Sequence, residues 1–130
     1  MIGRHSYLQA ALVVFGVIFC LVYPLAIIWP SGWAWHDGAP AASQYFMMIV
    51  GVYATLGVFL VMAAKDPLGN ASLIWFTVWS SVVHAVIMAA QALANPAHSG
   101  HLIGDVPALL FVAVMLGLLL RRAQARTASL

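Results

Sequence analysis

Four apolar runs dominate the chain, and they predict its secondary structure. They extend over about residues 8–29, 45–64, 73–94 and 106–120. None of them contains Lys, Arg, Asp or Glu, and a helix that crosses a bilayer needs about 20 predominantly apolar residues. The connections are short, so consecutive helices are expected to be antiparallel neighbours. The pattern therefore predicts an all-α fold, a single integral membrane four-helix bundle over residues 1–130.

The composition strengthens the membrane prediction. Hydrophobic residues make up 65% of the chain and charged residues 6%, and the mean hydropathy is +1.02. A soluble domain has about 45–50% apolar and about 25% charged residues. A water-soluble fold of this size could not bury so much apolar surface, so the lipid bilayer is the expected partner. The net charge of +2 reflects membrane topology, and no nucleic-acid partner is expected.

The basic residues predict an orientation. Arg4 precedes the first run and Lys65 lies between the second and third, while Arg121, Arg122 and Arg126 follow the fourth. With four crossings, these segments all lie on one side of the membrane, and the positive-inside rule assigns that side to the cytoplasm. Both termini are therefore predicted to be cytoplasmic, and residues 30–43 and 95–105 to face outward.

Two features predict helix shape and packing. Pro24 lies near the end of the first run, where it leaves the carbonyl of Cys20 without a hydrogen bond and favours a kink. In the second run, Gly51 and Thr55 form a small-xxx-small pair, which lets another backbone approach closely. We expect this face to pack within the bundle or between subunits, and its members at steps of three and four are Gln44, Met48, Gly51, Thr55 and Val58.

The third run carries a polar stripe at helical spacing. Its members are Thr77, Ser80, Ser81, His84, Met88 and Gln91. His84 lies near the middle of the run, where an ionisable side chain is expected to face the bundle interior or water. One interpretation is a neutral His84 hydrogen-bonded to a Ser, Thr or backbone carbonyl of another helix. The other is contact with a ligand, a metal or a proton path.

The segment "NPAHSGHLIGDVPALL" concentrates scarce polar residues before the fourth run. Asp105, followed by Val106-Pro107, fits a helix N-cap with proline in the first turn. His98-x2-His101-x3-Asp105 also offers two imidazoles and a carboxylate, a ligand set for Zn or Cu. His36, on the same predicted side, could add a ligand. Glycines 100 and 104 weigh against a rigid helix through this motif.

A ligand cavity is the function that these polar residues favour. Small bundles bind molecules between their helices, and a quinone or a lipid headgroup suits an outward-facing polar site. A non-catalytic role is expected, because the apolar runs contain no carboxylate for acid/base chemistry. The predicted ligand-binding residues are Gln44, Ser81, His84, Gln91, His101 and Asp105. The alternative is a metal-binding protein using His98, His101, Asp105 and His36.

The middle of the chain resembles a known kind of protein. Residues 44–93, with a Gly-containing second helix, the turn "KDPLGN" and a polar-edged third helix, resemble DoxX-like four-helix proteins. With "WSSVVHA" and "HLIGDVPALL", the fuller pattern resembles an uncharacterised family of such proteins. The resemblance implies a bacterial inner-membrane four-helix bundle. We expect the chain to form a homo-oligomer or to be a subunit of a larger membrane complex. Some DoxX-like proteins are membrane subunits of quinone-linked sulfur oxidoreductases, which implies an accessory role in a redox assembly.

Overall fold

The computed structural model describes residues 5–34 and 38–129, and the regular structure within those ranges is helical. The α-helices are α1 (Ser6–Cys20), α2 (Val22–Ile28), α3 (Pro30–Trp33), α4 (Gln44–Ala63), α5 (Ala71–Ala94) and α6 (Asp105–Ala128). Two 3₁₀ helices, Pro40–Ala42 and Pro96–Leu102, precede α4 and α6. The helix α6 continues past the predicted end at residue 120 because the residues that follow include the strong helix formers Arg, Ala and Gln.

The first apolar run forms two helices rather than one. The helices α1 and α2 meet at Leu21 and are bent by 60° relative to each other. Pro24 explains the break, since its ring and missing N–H prevent a regular bond to the carbonyl of Cys20. Within the described residues, three helices are long and apolar enough to cross a membrane, and the number is four when the bent α1–α2 pair is counted as one span.

The helices α1 and α4 pack as an antiparallel pair. The side chain of Gln9 donates to the carbonyl of Ala64 at 2.9 Å, and the thiol of Cys20 donates to the carbonyl of Ala54 at 3.5 Å. Residue numbers therefore rise along α1 as they fall along α4. The helix α5 packs as closely against α6, and α1 also contacts α6. The helices α4 and α5 pack much less extensively, although a short turn connects them.

A pair of glycines sets the distance between α1 and α4. A side chain at Gly57 would collide with the carbonyl oxygen of Gly16, and one at Gly16 would lie 2.6 Å from the carbonyl oxygen of Gly57. Within the bundle the closely packed glycine of α4 is Gly57 rather than the predicted Gly51, and packing of the Gly51 face between subunits stays a prediction. Gly51 and Thr55 are exposed, and nothing lies within 4 Å of a side chain built at Gly51. The same holds for the rest of that predicted face, since Gln44, Met48 and Val58 are exposed.

The core is continuous at one end of the bundle and divided at the other. We call the end that carries the 64–70 turn the turn end, and the end that carries residues 29–34, 38–43 and 95–104 the loop end. The large cluster, around Leu12, Leu60, Ile74 and Leu116, fills the turn end. Toward the loop end, two small clusters take over, one from α2, α3 and α4 and the other from α5 and α6. Tyr53 packs against all three clusters.

The contact between Gly16 and Gly57 leads to a stability prediction. Gly57→Ala is expected to destabilise the folded protein by about 1–3 kcal/mol, because overpacking forces the α1 and α4 backbones apart. Gly51→Ala is the matched control, and it is expected to be neutral or slightly stabilising because alanine is the better helix former. Thermal unfolding of the purified proteins in one detergent measures both effects. Equal melting temperatures for the two variants would contradict the assignment of Gly57 to the helix interface.

Candidate functional site

A cavity of about 370 Å³ lies at the loop end, between the two small clusters. Its walls are mostly apolar, and they include Phe19, Phe46, Met88 and Leu109. Seven of its lining residues carry polar groups: Trp33, Ser43, Tyr45, Tyr53, His84, Gln91 and Asp105. A volume of this size, with apolar walls and a few polar groups, is typical of small-molecule sites.

Part of the cavity lining on α4 and α5 is exposed. Tyr45 and Ile49 of α4 and Gln91 of α5 line the cavity and are exposed. These two helices also pack together much less closely than α1 with α4 or α5 with α6. Part of the cavity lining is therefore exposed where α4 and α5 separate.

Tyr53 of α4 and His84 of α5 form one part of what we call the polar wall of the cavity, and Asp105 forms the other part. The Tyr53 hydroxyl lies 2.5 Å from Nδ1 of His84, and the two rings are 5.7 Å apart between centroids. Either partner can be the donor, depending on which ring nitrogen of His84 carries the proton. The contact joins α4 to α5 across the region where these helices otherwise separate.

Asp105, the first residue of α6, forms the other part of the polar wall. Its two carboxyl oxygens lie 3.0 and 2.9 Å from Nδ1 of His101, one helical turn earlier in the chain. Nε2 of His101 lies 3.0 Å from the carbonyl oxygen of Ala34. All three residues are buried. Asp105 also lies close enough to Tyr53 and His84 to act on both electrostatically.

The hydrogen bonds of His101 determine where its protons are. The carbonyl of Ala34 can only accept, so Nε2 of His101 must carry a hydrogen and donate it. One further proton then lies between Nδ1 of His101 and Asp105, either as imidazolium with carboxylate or as imidazole with carboxylic acid. The pair is neutral overall in both cases. This neutrality makes the burial of two ionisable groups tolerable, because an unpaired buried charge is strongly unfavourable.

Two glycines bring Ala34 within reach of His101. A side chain at Gly100 would collide with the carbonyl oxygen of Ser31, and one at Gly104 would collide with that of Gly32. Only glycine therefore allows α3 to lie so close to the second 3₁₀ helix and the start of α6. This approach also directs Trp33 onto the wall of the cavity.

The predicted N-cap at Asp105 is wrong. The N-cap is Gly104, and Asp105 is the first helical residue, with its carboxyl group bonded to His101 instead of to backbone N–H groups. The negative charge still lies in the first turn of α6, where the helix dipole favours it. Local sequence rules could not reveal this, because Asp105 has a stronger partner one turn earlier.

The structure gathers part of the predicted ligand-binding set. His84, Gln91 and Asp105 line the cavity, and His101 lies behind Asp105. The remaining two lie elsewhere: Ser81 is buried within the bundle and Gln44 is exposed at the start of α4, and neither lines the cavity. That the cavity residues bind a ligand stays a prediction.

Sequence reasoning missed Tyr53, the partner of His84. The expected partner was a Ser, a Thr or a backbone carbonyl, but it is a phenol on the neighbouring helix. A signal was present, since Tyr53 lies seven residues after Phe46 and four before Gly57, on the face of α4 that is buried. The prediction followed the small residues of α4 and so selected the opposite face.

The metal alternative also stays a prediction. Among the described residues, no group of three or more His, Cys, Asp or Glu side chains is arranged to hold a metal ion. The ring of His98 lies 6.0 Å from that of His101, whose two nitrogens are both within hydrogen-bond distance of protein oxygens. His36 lies outside the described residues.

The pairing of His101 with Asp105 leads to a second stability prediction. His101→Ala is expected to lower the free energy of unfolding by about 3–5 kcal/mol, because it leaves a buried carboxyl group without its partner. His5→Ala, at the start of α1, is the control and is expected to have little effect. The double variant His101→Ala/Asp105→Ala is expected to recover part of the loss in thermal unfolding. Stoichiometric Zn or Cu that disappears in His101→Ala would instead support the metal interpretation.

Comparisons with known proteins identify the family but no characterised relative. No curated protein and no solved structure matches the chain, and nothing in the comparisons connects it specifically with DoxX-like proteins. A family model does match, and it covers residues 3–129. The chain therefore belongs to a family of unknown function, DUF6632.

Proposed function

We propose that the chain is an integral protein of the bacterial inner membrane, with four crossings and both termini in the cytoplasm. The outward faces of the long helices support this, since only 22% of the most apolar window of α4 is buried within the chain. Large apolar side chains such as Phe59, Phe76 and Trp79 are exposed. Soluble proteins rarely expose such continuous apolar surface. Lys65 and the three arginines of α6 lie at the turn end, which the positive-inside rule assigns to the cytoplasm.

Cysteine labelling tests this orientation. In a Cys20→Ser background, Ser99→Cys places a thiol at the loop end and Ser129→Cys places one at the turn end, and both positions are exposed. A membrane-impermeant maleimide applied to spheroplasts is expected to label the first variant only. Both variants are expected to react after the membrane is permeabilised. Labelling of Ser129→Cys in sealed spheroplasts would overturn the proposed topology.

We further propose that the cavity binds a small amphiphilic molecule with a quinone-like or lipid-like head. The cavity itself carries this proposal, because apolar walls and a localised polar set match a ligand with an apolar body and a polar head. Part of its lining is exposed where α4 and α5 separate, so a ligand dissolved in the bilayer could enter there without crossing water. The proposed role is non-catalytic binding, either alone, as a homo-oligomer or as an accessory subunit of a membrane redox assembly. Isolation in a mild detergent separates these arrangements by the composition of the particle.

Quenching of tryptophan fluorescence tests ligand binding. Trp33 lines the cavity, whereas Trp79 is 63% exposed and does not line it. Decyl-ubiquinone, a benzoquinone with a ten-carbon tail, is expected to quench the tryptophan fluorescence of the purified protein, and part of this quenching should saturate. The dissociation constant of the saturable component is expected in the micromolar range, which corresponds to a binding free energy on the order of −8 kcal/mol. Trp33→Phe should remove most of that component, and Trp79→Phe should retain it.

A cavity-filling variant completes this test. Ala108 lines the cavity from α6 and is half-buried, so Ala108→Phe is expected to abolish the saturable component while Trp33 remains present. Quenching that never saturates, or that is equal in Ala108→Phe and the wild type, would show that the quinone only dissolves in the detergent. The proposed binding function would then fail.

A further inference from the structure

We propose that a groove at the turn end, between α1 and α4, binds an anionic phospholipid, with an acyl chain along the helices and the phosphate at Lys65. The groove lies at the opposite end of the bundle from the cavity. The inference rests on the proposed insertion into a membrane, but not on ligand binding in the cavity. It assigns a second site and the chemistry of its occupant.

The groove has a volume of about 550 Å³, and most of its lining is apolar. The apolar lining residues are Ala10, Val13 and Val14 of α1, with Val61 and Ala64 on the side of α4. Their side chains are short, and those of Val13, Val14 and Val61 are 41, 53 and 37% exposed. The space between the two helices is therefore left open, and an acyl chain is an apolar partner for it.

The two polar lining residues lie at the outer rim of the groove. Gln9 belongs to the first turn of α1, and Lys65 follows the end of α4. Val13 comes four residues after Gln9 and Val61 four residues before Lys65, so both valines lie deeper by one helical turn, about 6 Å. The groove is thus polar at the membrane surface and apolar toward the interior, the same order as the head and the acyl chains of a phospholipid.

The rim presents hydrogen-bond donors. The side-chain amide of Gln9 lies 2.9 Å from the carbonyl oxygen of Ala64. A carbonyl can only accept, so the amide group at this contact is the NH₂ and not the oxygen. The contact uses one of the two amide hydrogens. The other amide hydrogen and the three ammonium hydrogens of Lys65 are suited to the oxygens of a phosphate group.

The charges at the turn end favour an anion. Among the described residues, Lys65 and the three arginines of α6 face a single carboxylate at this end, that of Asp66. Asp66 does not line the groove, and its carboxyl group accepts from the backbone N–H of Gly69 at 3.1 Å. Within residues 5–34 and 38–129, Lys65 has no carboxylate partner. Its ammonium group is therefore available to an anionic ligand.

The helix dipoles do not change this balance. The helix α1 begins and α4 ends beside the groove, so the positive end of one dipole lies next to the negative end of the other, and their partial charges offset each other. Lys65 then supplies the net charge of the rim. Basic pockets between membrane helices on the cytoplasmic side are typical sites for anionic lipid head groups.

Competition between two phospholipids tests the preference for an anion. The delipidated protein in detergent is mixed with equal amounts of palmitoyl-oleoyl phosphatidylglycerol, which is anionic, and of phosphatidylcholine with the same chains, which is zwitterionic. Native mass spectrometry counts the bound lipids. Phosphatidylglycerol is expected to be bound about fivefold more often, the effect of one lysine near a membrane surface. Equal binding of the two lipids would overturn the proposal.

Two charge variants assign the preference to the groove. Lys65→Gln is expected to bring the ratio of the two lipids close to one. Arg121→Gln is the matched control, because it removes the same charge at an exposed position of the turn end that does not line the groove. It is expected to keep the wild-type ratio. An equal loss in both variants would show that the basic end attracts anionic lipid without a defined site, contrary to the proposal.

A groove-filling variant tests the position of the acyl chain. Val14→Trp is expected to reduce bound phosphatidylglycerol severalfold, whereas Val83→Trp, at an exposed valine of α5 outside the groove, should bind it as the wild type does. Unchanged binding by Val14→Trp would place the lipid elsewhere. A dimer that shows no lipid preference and that Val14→Trp dissociates would show that a second copy of the chain covers the groove. Either result refutes the proposal.

These outcomes are distinct from those of the proposed function. A chain that stays soluble and monomeric without detergent would refute membrane insertion, and the lipid site with it. Equal binding of the two lipids by a protein that needs detergent would refute the lipid site alone. Quenching by decyl-ubiquinone reports only on the cavity at the loop end.

Discussion

The loop end of this protein depends on one buried imidazole that makes two hydrogen bonds. His101 bonds both to Asp105 at the start of α6 and to the carbonyl of Ala34, which lies 67 residues before His101 in the chain. Because the carbonyl requires a hydrogen on Nε2, the remaining proton is confined to the contact with Asp105. A carboxyl group can therefore be buried among apolar helices without a net charge. This one residue fixes both the position of α3 and the direction in which Asp105 presents its oxygens.

The cavity exists because the helices pair unequally. The helix α1 fits closely against α4 through Gly16 and Gly57, and α5 packs against α6, whereas α4 and α5 have little direct packing. At the turn end, one apolar cluster joins the two pairs. At the loop end, each pair has its own small cluster, and the space between them remains open. Tyr53 lies where the clusters meet, and its contact with His84 joins α4 to α5.

The few polar groups of the chain have divided roles in this arrangement. Some are satisfied within one helix, as in Thr77, whose hydroxyl donates to the carbonyl of Leu73. His101 is occupied entirely by protein partners, and its effect on the cavity acts through Asp105. The Tyr53–His84 pair and Asp105 are the groups that combine burial with access to the cavity.

The sequence by itself determined the helices, because the length of an apolar run and the absence of charge are local properties. It also determined the bend near Pro24, since the missing N–H acts on the carbonyl four residues earlier whatever the surroundings. His84, Gln91 and Asp105 could be selected in advance because polar groups are rare in such a chain. Only the tertiary structure decided the partners: His101 rather than the backbone for Asp105, Gly57 rather than Gly51 for close packing, and Tyr53 for His84. Each choice depends on which face of a helix meets a neighbour, and helical spacing offers several faces whose energies differ only once the neighbours are in place.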